Sequence, residues 1–230
     1  MNILAIDTST NVLGIGIAND EKIIGEYITN IKRNHSTRVM PAIDFLLKDV
    51  GMDIRDIDKI VVAKGPGSYT GLRIGVTIGK TLAWTLNVPI SGISSLKLMA
   101  ATGKYFTGFL SPLIDGRRGN VYTGLFIWKD GQIIRLKEDQ YVSAKDWAES
   151  LKGMGKPVLF LGNDLSIHQA VLEETLGEVA RFGSIGEKNP RPGELALLGR
   201  DAEEVNVHTF EPNYVRLAEA EAKWREKNRQ

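Results

Sequence analysis

Gly65-Pro66-Gly67-Ser68-Tyr69-Thr70-Gly71-Leu72-Arg73-Ile74-Gly75 joins an apolar strand pattern, Asp58–Lys64, to a long helical one, Thr70–Asn87. Glycine reaches positive φ without steric cost and proline fixes its own φ, so Gly-Pro-Gly reads as a tight turn. Ser68 is placed to cap the helix, a contribution of about 1 kcal/mol. A capped helix start after a glycine-rich turn leaves backbone N–H groups that favour an anion. Along the helix, Gly71, Gly75, Gly79 and Leu82 fall together at 100° per residue, flanked by Leu72, Ile74, Val76, Ile78, Ala83 and Leu86. That sector covers more than half of the circumference, whereas a helix lying on one core needs a stripe of little over 100°. Each internal glycine also costs roughly 1 kcal/mol against alanine, which packing must offset. The helix is therefore expected to meet its own sheet on one side and a second surface on another.

Working outward, the pattern β-β-β-α-β-α-β-α occurs twice. The first half reads as strands at Asn2–Asp7, Val12–Ala18 and Lys22–Thr29, a helix at Ser36–Val50, the strand and helix above, a strand at Pro89–Ile93 and a helix at Ser94–Thr102. The second reads as strands at Phe109–Ile114, Asn120–Trp128 and Gln132–Lys137, a helix at Ser143–Leu151, a strand at Pro157–Leu161, a helix at Ser166–Leu176, a strand at Val179–Phe182 and a helix at Gly193–Val205. Gly183–Pro192 reads as a loop. Each half opens with a strand ending in Ile-Asp, at Ile6-Asp7 and Ile114-Asp115, followed by a polar turn: Thr8-Ser9-Thr10-Asn11 and Gly116-Arg117-Arg118-Gly119. Three-strand meanders followed by alternating helices and strands give mixed sheets covered by helices. The expected fold class is α/β, a duplicated actin-like (Hsp70-like ATPase) fold of two halves facing a cleft. The expected domains are 1–104, carrying the partner-binding helices, 105–211, and a charged, helix-prone tail, 212–230.

At 230 residues the chain has ample length for a core, and a formal charge of +1 gives no broad electrostatic case for a nucleic-acid surface. It has no cysteine, hence no disulfide, thiolate metal site or cysteine nucleophile. Met1–Asp7 reads as a strand and not as a signal peptide, and no apolar run has membrane-spanning length. These features predict a cytoplasmic protein.

The chemistry available is limited. Asp7, Thr8, Ser9 and Asp115 could hold a hydrated Mg²⁺ and a phosphate across the cleft, because carboxylates are the usual hard-cation ligands. The Thr8-Ser9-Thr10 turn, however, has no glycine to bring its backbone against a phosphate. No cofactor is required on this reading, and ATP or ADP with Mg²⁺ would be held weakly. Gly75-Val76-Thr77-Ile78-Gly79-Lys80-Thr81 imitates a P-loop with three residues between its glycines where the motif has four, and it lies within the helix. His35, His168 and His208 lack a second histidine at i+3 or i+4. His35 precedes Ser36, a plausible N-cap. The helix Ser36–Val50 carries Val39, Met40, Ile43, Leu46, Leu47 and Val50 on a broad face that Ala42 and Phe45 widen, with Pro41 in its first turns. Two neighbouring helices this apolar predict a paired-helix docking surface.

The segments Ile3–Thr10, His35-Ser36, Met40-Pro41, Gly65–Gly75, Pro89, Ser94-Ser95-Leu96, Ile114–Tyr122 and Pro212-Asn213-Tyr214-Val215-Arg216 resemble the TsaB (YeaZ-like) family over most of the chain. Gly116 departs from the alanine more usual there. The resemblance implies a non-catalytic, actin-fold subunit in the formation of threonylcarbamoyladenosine at position 37 of tRNAs reading ANN codons. It implies a heterodimer with a TsaD-type paralogue that performs the transfer, a TsaE-type ATPase joining the complex, tRNA reached through that complex, and no membrane. TsaD-type proteins hold a metal through a His-x-x-x-His pair. Here His35 is followed four residues later by Val39, so the metal pair is absent and the old glycoprotease label does not fit. The resemblance also places the heterodimer contact on the first two helices. The contacts expected on this chain are Met40, Ile43, Leu47, Leu72, Val76, Gly79 and Ala83, with Arg73 and Lys80 as a polar rim. The same face would form a homodimer in isolation. The competing reading is a stand-alone nucleotide-binding ATPase or kinase using Asp7 and Asp115.

Overall fold

The computed structural model describes residues 1–32 and 34–215. Two five-stranded mixed sheets carry the duplication. In the first, β1 (Ile3–Asp7) pairs antiparallel with β2 (Val12–Ala18), which pairs antiparallel with β3 (Ile23–Asn30); β4 (Lys59–Gly65) runs parallel to β1, and β5 (Ile90–Ser94) parallel to β4. The second repeats this order with β6 (Phe109–Arg117) at its centre. β7 (Asn120–Lys129) and β8 (Gln132–Ser143) lie antiparallel on one side, and β9 (Val158–Leu161) and β10 (Ala180–Phe182) parallel on the other.

Alternation along the central strands divides the core. Leu4 and Ile6 of β1 join the cluster beneath α1 (Val39–Asp49) and α2 (Tyr69–Leu86), while Ile3 and Ala5 pack on the opposite face against α6 (Pro192–Arg200). In the second sheet Leu113 and Val121 face α4 (Ala144–Glu149) and α5 (Leu165–Leu176), while Leu110 and Ile114 face α3 (Ser95–Ala100). The molecule thus stacks helix pair, sheet, helix pair, sheet, helix pair, with α3 and α6 touching in the middle layer.

That middle layer corrects the linear division at 104/105 and 211/212. α6 comes from the second half of the chain yet covers the first sheet, and α3 comes from the first half yet covers the second. The chain after α6 also stays with the first lobe. Val205 forms a bridge with Ile90, Phe210 is buried in the first-lobe core, and Asn213 N–H donates to Lys64 O at 2.7 Å. Burial demands this exchange: each sheet has two apolar faces, and the helices between the sheets must serve both.

Local expectations differ at five places. β6 runs to Arg117, past the expected Ile114 and into the expected turn Gly116–Gly119, because Arg117 still pairs with Asn120 of β7. Ser36 is not the cap; His35–Thr37 form a 3-10 turn capped by Asn34, whose side chain accepts from Ser36 N, and α1 begins at Val39. β8 runs to Ser143, past the expected Lys137, because β7 pairs with it from end to end. α6 starts at Pro192, a residue suited to a first helical turn, and ends at Arg200, not Val205. Within the expected loop Gly183–Pro192, Ile185–Glu187 form a 3-10 turn. The expected tail lies, from Arg216 onward, outside the described residues.

Candidate functional site

The glycine-rich stretch folds as its residues dictate. Ser68 caps α2, its Oγ accepting from Gly71 N at 3.3 Å, and Gly65 sits at φ +109°, open to glycine. The helix start is less available to an anion than the turn alone implies. Ser68 N donates to Ser9 O at 2.7 Å, Gly71 N to Ser68 Oγ at 3.3 Å and Leu72 N to Ser68 O at 2.8 Å. A Cβ on Gly67 or Gly71 would come inside 3.0 Å of the carbonyl oxygens of Ser9 and Thr8 respectively. These glycines press the helix against the β1–β2 turn.

Asp7 anchors that turn from below. Its Oδ1 accepts from Ser9 N at 2.9 Å and Ser9 Oγ at 2.7 Å, and the residue is 1% exposed. Burial pushes its carboxyl above the ordinary range, against the opposing pull of the Ser9 hydrogen bonds and of His35. His35, itself buried, donates from Nε2 to Thr10 O at 2.8 Å.

The facing wall is built on Asp115. Its Oδ1 accepts from His168 Nε2 at 3.0 Å and from Arg117 N at 3.1 Å, and its own amide donates to Asp164 Oδ2 at 3.0 Å. His168 and Asp164 lie four residues apart at the start of α5, so one helical turn aims both at Asp115. Between the walls is a cavity of about 600 Å³. Ser9, Thr10 and Gly67–Thr70 line one side, Asp115, Arg117, Tyr122 and Asp164 another, and Asn213–Val215 a third. Of the four residues expected to bind a magnesium nucleotide, Ser9 and Asp115 reach this cavity. Asp7 and Thr8 do not; both are buried behind it, because the close approach of α2 seals the turn's inner side. Sequence reasoning does not single out His168, because nothing within its own helix marks it as the partner of a distant carboxylate.

The outer helices divide the nine expected contact residues. Ile43, Leu47, Leu72, Val76, Gly79 and Ala83 are buried within the subunit. Gly79 faces Val62 of its own sheet, as Gly71 and Gly75 face Thr8. The small-residue stripe is therefore the sheet-packing side of α2, which corrects its assignment to a partner helix. Lys80 is not free for a rim either: its Nζ donates to the carbonyls of His208 at 3.0 Å and Phe210 at 2.9 Å, holding the returning C-terminal strap. Met40 is 46% exposed, and exposed Arg73 lies over the Tyr69 ring at 5.5 Å. The outward surface adds side chains absent from the expected set: Phe45 at 58%, Tyr69 at 47% and Trp84 at 67% exposure. Tyr69 also stacks on Tyr214, with ring centroids 5.1 Å apart, tying the strap to the start of α2.

Against known proteins, the chain is 54% identical to the tRNA threonylcarbamoyladenosine biosynthesis protein TsaB of Bacillus subtilis, over 97% of this chain and 98% of that one. The chain belongs to the TsaB family. TsaB-family proteins take part in tRNA threonylcarbamoyladenosine biosynthesis. The model of the TsaD family, tRNA N6-adenosine threonylcarbamoyltransferase, matches residues 22–224, so this TsaB-family chain shares ancestry with that transferase. In fold it resembles YeaZ from Pseudomonas aeruginosa, with a TM-score of 0.79 at 22% identity, covering 93% of this chain and 99% of that one. A more distant likeness of fold, TM-score 0.50 at 10% identity, links it to the ROK hexokinase of Thermus thermophilus over 87% of this chain and 99% of that one. Within this TsaB-family structure Val39, four residues after His35, is a fully buried core residue. Among the described residues no group of three His, Cys, Asp or Glu side chains is placed to hold a metal ion, and no helix is long and apolar enough to cross a membrane.

Proposed function

We propose that this chain is the non-catalytic partner subunit that binds and activates a TsaD-type threonylcarbamoyltransferase in the cytoplasm. The observation that carries the reading is the outward face of α1 and α2. Met40, Phe45, Tyr69 and Trp84 stand exposed on helices whose inner sides are already fully packed. Aromatic side chains left exposed on packed helices are the residues that anchor protein interfaces. Family membership in threonylcarbamoyladenosine biosynthesis and shared ancestry with the transferase support a paralogous partner. A TsaE-type ATPase joins the pair, tRNA is reached through the complex, and a homodimer through the same face forms when the partner is absent. The test is threonylcarbamoyl transfer to tRNA by purified TsaD-type, TsaE-type and adenylate-forming proteins, with this chain added, omitted or alone. Activity only on its addition supports the proposal; full activity without it refutes the proposal.

The cleft favours a second reading, a stand-alone nucleotide-dependent ATPase or kinase, because its 600 Å³ would admit a nucleotide. ATP turnover by the isolated chain, lost on Asp115→Ala, would establish it. On the proposed reading no cofactor is needed, and calorimetry with ATP and Mg²⁺ gives weak binding at most.

A further inference from the structure

We infer that the β1–β2 turn couples the outer helix pair to the cleft, so that a partner docking on α1 and α2 resets the cleft wall. The inference rests on the proposed partner role and specifies how that docking is transmitted. Thr8 Oγ1 donates to Gly71 O at 2.7 Å, Ser9 O accepts from Ser68 N at 2.7 Å, and Thr10 O accepts from His35 Nε2 at 2.8 Å. Three consecutive residues are thereby tied to α2's first turns and to the 3-10 turn that leads into α1. There is no slack in the seat: a Cβ on Gly67, Gly71 or Gly75 would come inside 3.0 Å of Ser9 O, Thr8 O and Thr8 Oγ1 respectively. A close-packed contact of this kind moves as a unit or switches between discrete arrangements; it does not deform gradually.

The same residues form the cleft. Ser9, Thr10 and Asn11, together with Gly67–Thr70, line the cavity on one side while their other sides meet the helices. Asp7 Oδ2 and His35 Nδ1, beneath the turn, are both buried and unpaired, which leaves hydrogen-bonding capacity for a second arrangement. By linkage the effect is reciprocal: anything that fixes the cleft wall alters affinity at the helix face by the same factor.

The chain has no cysteine, so Asn11→Cys takes a single environment-sensitive dye at the cleft wall. Two substitutions then perturb α2 without a partner. Gly75→Ala drives a methyl directly into Thr8 Oγ1, whereas Gly79→Ala drives one into Val62, with no turn atom among its nearest neighbours. Coupling predicts a larger shift of dye emission for Gly75→Ala than for Gly79→Ala. A response equal in both, or absent from Gly75→Ala, overturns it. Should Gly75→Ala not fold, Thr8→Val cuts the tie to Gly71 and carries the same expectation. A second arm adds the TsaD-type subunit to the labelled chain, with calorimetry in parallel. Binding with a silent dye overturns the coupling. Absence of binding overturns the partner reading, while the glycine pair still decides the coupling.

Discussion

Replacing Trp84 by alanine separates a docking face from a folding face. The side chain is 67% exposed. A fully covered tryptophan buries about 250 Å², so a partner has about 170 Å² of it left to cover. At ~25 cal/mol per Å² that area is equivalent to about 4 kcal/mol. Allowing for imperfect coverage, Trp84→Ala should cost about 2–4 kcal/mol of binding, roughly a 30- to 1000-fold rise in Kd. The remaining third, about 80 Å², limits the folding cost to ~2 kcal/mol, and the higher helix propensity of alanine offsets part of it. Titration calorimetry against a purified TsaD-type subunit reads the first quantity and urea denaturation of the isolated chain the second. Unchanged affinity with an intact fold would refute the assignment of this face. Loss of folding comparable to the loss of binding would show that Trp84 belongs to the core.

Three further outcomes follow from other sites. Phe210→Ala removes a buried ring packed over Gly92 and releases the strap from the first lobe, with an expected loss of about 3–5 kcal/mol by urea denaturation. Ser68→Ala removes the cap on Gly71 N and should cost about 1 kcal/mol, seen as a lower denaturation midpoint at unchanged slope. Asp139, whose side chain is 4% exposed, bonds Ser94 Oγ through Oδ2 and lies near Arg135, Glu138 and Lys64; burial raises its carboxyl above 3.8. A raised carboxyl makes the native state hold its proton longer than the unfolded chain does. Its contribution to stability is therefore greatest below 3.8 and is lost as pH rises through the raised value. Asp139→Asn should flatten that part of the stability–pH curve, and an unchanged slope would count against the assignment.

Features that depend on neighbours within a few residues are legible in the sequence. The Ser68 cap, the helix after it and the Ile-Asp ending of the first opening strand are of this kind, because there periodicity speaks directly, whereas the second opening strand runs on past Ile114-Asp115 to Arg117. The small-residue stripe of α2 is located correctly in the same way, but its partner is not. A helical projection shows that Gly71, Gly75 and Gly79 share a face; it carries no information on whether Thr8 and Val62 or another molecule fills it. The exposed Trp84 and Phe45 do not stand out as contacts for the same reason: large apolar residues in an apolar helix are ordinarily core.

The sequence by itself therefore determined the alternation of strands and helices, the doubled pattern and the family resemblance, all of them properties of short-range order. Tertiary structure alone decided that α3 and α6 change lobes, that Asp7 is sealed behind the cleft while Asp115 opens into it, and that His168 holds Asp115 across 53 residues. Those outcomes depend on which apolar faces are still uncovered once the two sheets have formed, a question that only the assembled layers can answer.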